Sequence, residues 1–147
     1  MKILKCLLIL IVGYISVSVI YSQFITPRIK IINNSGYNLK LYKSESRANS
    51  IEPTLEEVEK MLRSTVVIEP NNSYSFGINR KYIISNEENK LNTSLKSNSK
   101  TIISNEFLIQ KKGFCNYKID VYDAYTDVST NGLNFCYKKL FMVKEIS

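Results

Sequence analysis

GFCNYKIDVY, residues 113–122, sets Cys115, Tyr117, Ile119 and Val121 on one side of an extended chain. Asn116, Lys118 and Asp120 fall on the other. Alternation with a period of two is the pattern of a half-buried β-strand. The same segment holds one of only three cysteines in a 147-residue chain that has no histidine. What Cys115 does therefore bears on both fold and chemistry. A thiol nucleophile needs a base, and the usual base, histidine, is missing. A structural zinc site needs four ligands of a kind this chain does not supply. The remaining reading is a disulfide to Cys136. That cysteine lies in LNFCYKKLFM, residues 133–142, which reads as a second strand with Cys136, Lys138, Leu140 and Met142 on one face. Closing a loop of about 20 residues in this way contributes roughly 3 kcal/mol.

A disulfide needs an oxidising compartment, and the N-terminus offers the route. In MKILKCLLILIVGYISVSVIYSQFI, Lys2 and Lys5 precede a run without charge from Cys6 to Ile25. The strongly apolar part, Cys6 to Tyr21, is 16 residues, and extension to Ile25 gives 20. The shorter length is long for a signal core, and the longer one is enough to cross a bilayer. Ser16, Ser18 and Ser22 are the small residues a processing enzyme needs, but no Ala-x-Ala site occurs. Residues 1–25 are thus expected to be a signal peptide or a membrane anchor. Residues 26–147 are expected to be a separate domain outside the cytoplasm, either anchored in the inner membrane facing the periplasm or exported. Cys6 follows Lys5, where a lipoprotein signal needs a small residue, so it reads as part of the apolar run.

Working outward through that domain, RIKII (28–32) and YNLKLYK (37–43) alternate on either side of NNSG (33–36) and predict a hairpin. EPTLEEVEKMLRS (52–64) changes to helical spacing. Thr54 and Glu57 form a capping-box pattern, Leu55, Val58, Met61 and Leu62 share a face, and Glu59 precedes Arg63 by four. TVVIEPNNSYSFGI (65–78) predicts strand, turn and strand, with RKYIIS (80–85) prolonging the second strand. NEENKLNTSLKSNSK (86–100) predicts a polar loop, and TIISNEFLIQ (101–110) a further strand. DAYTDVSTNG (123–132) also predicts a loop, because a direct Asn131-Gly132 hairpin would set Cys136 opposite Asp127 and far from Cys115. The expected fold is mainly β: an antiparallel β-sandwich or curled sheet with one short amphipathic helix, preceded by an N-terminal hydrophobic targeting or transmembrane helix.

Composition narrows the chemistry. Without histidine, the ordinary Ser-His and Cys-His arrangements are excluded, and the five glycines form no phosphate loop. Asp120, Asp123 and Asp127 are not spaced as a calcium loop. The expectation is no catalytic residues, no metal, no cofactor and no enzymatic activity. Ten tyrosines and a net charge of +7 point instead to binding. Tyr117, Tyr122, Tyr125 and Tyr137 lie around the last strands, and Arg80 with Lys81 opens a basic stretch. Tyrosine offers contact area and a hydroxyl at low entropic cost. A basic chain suits a protein with an acidic surface, and export argues against nucleic acid. The functional expectation is an extracytoplasmic protein-binding domain, in its most concrete form an inhibitor or immunity protein neutralising a toxin or hydrolase. The alternative is an accessory subunit of a membrane-envelope assembly held by residues 6–25. A small enzyme is a third reading for which no residue set can be named.

Overall fold

A computed structural model of the chain describes residues 2–49, 54–98, 100–130, 132 and 135–146. Among the described residues the chain forms α1 (Lys2–Ile25), β1 (Arg28–Asn33), β2 (Leu39–Arg47), α2 (Leu55–Arg63), β3 (Val66–Ile68), β4 (Ser73–Gly77), α3 (Arg80–Ile84), β5 (Asn89–Ser97), β6 (Lys100–Gln110), β7 (Asn116–Val121), β8 (Thr126–Thr130) and β9 (Lys139–Ile146). The strands make two sheets, in the orders β4-β1-β7-β8 and β3-β2-β5-β6-β9. The architecture is that of a β-sandwich.

The core lies between the sheets, where period-two patterns meet. Ile29 and Ile31 of β1 and Ile119 and Val121 of β7 come from the four-stranded sheet. Leu39, Leu41, Leu91, Leu95, Phe107 and Ile109 come from the five-stranded one. Phe107 and Tyr117 meet edge to face at 5.0 Å and lock the sheets together. Each side chain removed from water in this way contributes about 1.5–3 kcal/mol.

The predicted hairpin at 28–43 is instead a sheet crossing. β1 pairs with β4 and β7, whereas β2 pairs with β3 and β5. Ile29 and Leu39 are both fully buried and face one core from opposite sheets. Asn33, fully buried, makes the crossing workable. Its amide donates to the carbonyls of Tyr37 (2.8 Å) and Ile68 (2.9 Å), and its oxygen accepts from the Ser35 N–H and hydroxyl. The 65–78 segment likewise splits, with β3 in one sheet and β4 in the other. One pair, β1 with β7, is parallel, so the sandwich is mixed and not purely antiparallel.

Three further expectations are corrected. Residues 89–97 form β5, flanked by β2 and β6, not a loop. Its inward residues, Asn89, Leu91, Thr93 and Leu95, alternate properly but include only two apolar side chains. Residues 80–84 form the short helix α3, a second helix in the domain, because the Asn79 side chain accepts from the Lys81 N–H (3.1 Å) and caps it. Residues 126–130 form β8, antiparallel to β7, so the tight turn lies at 122–125. Asn131 of the Asn-Gly pair lies outside the described residues. The last strand begins at Lys139, which leaves Cys136 in the segment crossing from β8 to β9.

Helix α2 forms where its spacing predicts, and the Thr54 carbonyl accepts from the Val58 N–H (3.0 Å). The Glu57 side chain of the capping box is outside the described residues. Leu55 and Leu62 remain exposed, so the helix covers the sheet with only part of its apolar face. Helix α1 presents exposed apolar residues all round, from Leu7 to Val17. Among the described residues, no helix is long and apolar enough to cross a membrane.

Candidate functional site

Three connections converge at the end of the sandwich where β2 begins. They are the β1–β2 crossing with Tyr37, the β5–β6 turn, and the β7–β8 turn. Together they border an open groove of about 900 Å³ lined by Tyr37, Asn98, Lys100, Tyr122, Asp123 and Tyr125, among others. The β7–β8 turn is closed by the Tyr122 N–H donating to the Tyr125 carbonyl (2.9 Å). Its two tyrosine rings stack with centroids 4.6 Å apart and planes 22° from parallel. Tyr125 is 61% exposed. The turn does not stand alone: the Asp123 carboxylate accepts from the Gly36 N–H (2.8 Å), and the Val121 carbonyl accepts from the Asn34 N–H (2.8 Å). These bonds tie the tyrosine pair to the β1–β2 crossing.

The predicted binding residues separate in space. Tyr122 and Tyr125 meet at this groove. Tyr117 is a core residue, 6% exposed, and does not belong to a surface site. Burial pushes its phenol above the ordinary 10.0, against the smaller opposing effect of a hydrogen bond with the Met142 backbone. Arg80 and Lys81 sit on α3, toward the other end of β2. There Lys81 lies over the Tyr82 ring at 4.5 Å and borders a separate cleft of about 500 Å³ with Lys43, Glu45 and Lys60. Glu45 in that cleft accepts from the Asn79 N–H (2.8 Å). Tyr137 is exposed beside Cys136 and belongs to neither recess.

Cys115 and Cys136 are disulfide-bonded, with Cα atoms 5.7 Å apart. The bond ties the start of β7 to the crossing segment before β9. Two residues later, the Lys138 ammonium donates to the carbonyls of Tyr82, Ser85 and Glu87, at and just beyond the C-terminal end of α3. A cation suits that end of a helix. The crossing segment is thus pinned on both sides, to β7 by sulfur and to α3 by charge. Lys138 was legible in the sequence only as one more strand lysine.

The outer face of β7 carries the other charged arrangement. Lys118 and the nearly buried Asp120 pair at 2.6 Å. That hydrogen bond is the main cause of a Lys118 pKa above 10.5, followed by the opposing desolvation and the charge of Asp120. Asp127 lies directly opposite Asp120 across the β7–β8 ladder. Among the described residues, no group of three or more histidine, cysteine, aspartate or glutamate side chains is placed to hold a metal ion. No family model matches the chain, and no curated protein or solved structure is significantly similar to it.

Proposed function

We propose that residues 26–147 are an extracytoplasmic protein-binding domain that meets its partner with the Tyr122–Tyr125 end. The observation that carries this reading is the stacked tyrosine pair, Tyr125 exposed and Tyr122 half-buried, on a turn tethered at Asp123. Such a pair offers aromatic area and hydroxyls whose ordering is already done before a partner arrives. The net positive charge of the domain, +5 once Lys2 and Lys5 are set aside from the chain's +7, draws an acidic partner toward it at long range. The narrower version, an inhibitor or immunity protein, needs a surface and no reacting group, which suits a chain without histidine.

Helix α1 supports attachment to an envelope membrane, with export after cleavage as the other outcome. From Cys6 to Val17 its described side chains are exposed on every side and, Ser16 apart, carry no strongly polar group, the pattern of a helix meant for an apolar surrounding. Ser16 donates its hydroxyl to the Val12 carbonyl (2.8 Å), a bond that would satisfy this polar group in an apolar surrounding. The same helix favours a second reading, an accessory subunit of a membrane-envelope assembly. Replacing residues 1–25 by a cleavable signal separates the two, since an inhibitor then keeps its function and an assembly subunit loses it.

The direct test places a photo-crosslinking residue at Tyr125 or at Arg80 in the full chain in its native envelope. A stoichiometric adduct at position 125, absent at position 80 and lost with Tyr122→Ala/Tyr125→Ala at unchanged melting temperature, is the expected result. An adduct at position 80 alone moves the site to α3 and ends this reading. For the inhibitor version, deletion sensitises cells to a specific effector; unchanged sensitivity across effectors rejects it.

A further inference from the structure

The edges of the two sheets are not equivalent. β3 is a three-residue strand. β9 is closed on its outer side, since Phe114 and Leu140 exchange N–H to carbonyl bonds of 2.9 Å and Met142 bonds the Tyr117 hydroxyl. β4, SYSFG, carries no charge with which to choose a partner. β8 is a five-residue edge strand that carries a charge, Asp127. Among the described residues its only strand neighbour is β7.

The ladder dictates which of its backbone groups are open. The Tyr122 N–H bonds the Tyr125 carbonyl, so that pair is a hydrogen-bonded one. Hydrogen-bonded and non-bonded pairs alternate along an antiparallel ladder. Register then makes Asp120–Asp127 and Lys118–Ser129 the bonded pairs. Thr126, Val128 and Thr130 are left to point their N–H and carbonyl groups away from β7. The β1 side agrees, because the Val121 carbonyl, opposite Thr126, bonds Asn34 in the other direction.

Charge along this edge is unbalanced. Asp120 and Asp127 face each other directly, an unfavourable arrangement for like charges. Lys118 bonds Asp120 at 2.6 Å and reaches Asp127 only by longer-range attraction, and no described lysine or arginine lies within ion-pair distance of Asp127. A strand added alongside β8 would place its own side chains beside Asp127 and Ser129 on the outer face. A lysine or arginine there would complete the row.

We propose that the open edge of β8 is a β-augmentation site for an extended, lysine- or arginine-bearing segment of a partner protein. This rests on the protein-binding reading above and specifies how the partner engages. Main-chain bonds to Thr126, Val128 and Thr130 supply affinity, and Asp127 supplies the choice of side chain. The chain-wide positive charge acts at long range and does not set this local preference. A second copy of the chain is a poor occupant, because pairing β8 with β8 brings like-charged chains and their Asp127 residues together.

The test is hydrogen exchange on the full chain in detergent micelles, with a short peptide alternating lysine and valine and its glutamate counterpart. The lysine peptide is expected to slow exchange of the Thr126, Val128 and Thr130 amides about tenfold, and to leave Asp127 and Ser129 unchanged. Asp127→Lys should transfer the effect to the glutamate peptide. Thr130→Pro removes an edge donor outside the β7 ladder and should weaken protection by the lysine peptide. Protection elsewhere, or an undiminished lysine-peptide effect in Asp127→Lys, overturns the proposal. So does protection that grows with protein concentration alone, which assigns the edge to a second copy. If crosslinking to the native partner is lost in the tyrosine double variant yet survives in both edge variants, the binding reading stands and the edge inference falls. If it survives the tyrosine change but fails in both edge variants, the edge holds and the tyrosine contact falls.

Discussion

Tyr117 and Lys118 are neighbours in sequence and face opposite sides of β7, one into the core and one onto the outer face. Both hold their protons more tightly in the folded chain, Tyr117 mainly through burial and Lys118 mainly through its bond to Asp120. Below their ordinary values of 10.0 and 10.5, folded and unfolded chains are equally protonated and the contribution is complete. As pH rises past those values the unfolded chain releases its protons first, so stability falls until the folded groups also titrate. Denaturant midpoints should therefore decline with pH above about 10. Tyr117→Phe should make that decline shallower, and an unchanged slope would remove Tyr117 from the account. Gly113 acts at the same scale: its φ is +119°, and a Cβ there would lie 2.1 Å from the Leu140 carbonyl oxygen. Only glycine lets the chain approach β9 closely enough for Phe114 to bond Leu140.

Among the elements, β5 is the informative one. It pairs along its length with β2 and β6, so its backbone bonds are satisfied on both sides. Its inward face has two leucines, yet each is essentially removed from water. Helix α2 is the converse, with a strong amphipathic pattern and its two leucines exposed. Apparent patterning and energetic weight therefore run in opposite directions. Leu91→Ala should cost about 2–5 kcal/mol in urea unfolding, because it empties a filled site in the core. Leu55→Ala should change stability by less than about 0.5 kcal/mol. Equal effects would mean that α2 is packed as tightly as the central strand. The ion pair between Glu59 and Arg63, exposed and 3.5 Å long, adds little to either outcome.

At the scale of the whole molecule, the chain changes sheets repeatedly, and its last crossing is covalently fixed. The Cys115–Cys136 bond and the Lys138 contacts hold residues 136–138 between β7 and α3. Cys115→Ser/Cys136→Ser should lower stability by about 3 kcal/mol, the loop-closure contribution for this separation. Alkylation of the unfolded, unreduced full chain should label Cys6, the free cysteine, and leave Cys115 and Cys136 unmodified. Labelling of all three before reduction would contradict the bond. Reduction should also raise protease cleavage between β8 and β9, since the crossing then keeps only its α3 contacts.

Much of this was readable along the chain. The 113–122 segment identifies β7 because its inward positions are all buried, and burial on one face imposes a period of two on the sequence. The cysteine pairing followed from elimination, since a chain without histidine offers those thiols few other roles. The helix at 55–63 declared itself through spacing. Hairpin against crossing was not legible, because β1 and β2 show the same alternation whichever sheet each joins. β5 stayed hidden because neighbours on both sides, not its own side chains, supply most of what holds it. Of the binding residues, sequence proximity grouped four tyrosines, and the fold kept Tyr122 and Tyr125 together while sending Tyr117 into the core. Local periodicity reports which face of an element meets the core. Which elements meet each other is set by long-range packing, and that leaves no local pattern to read.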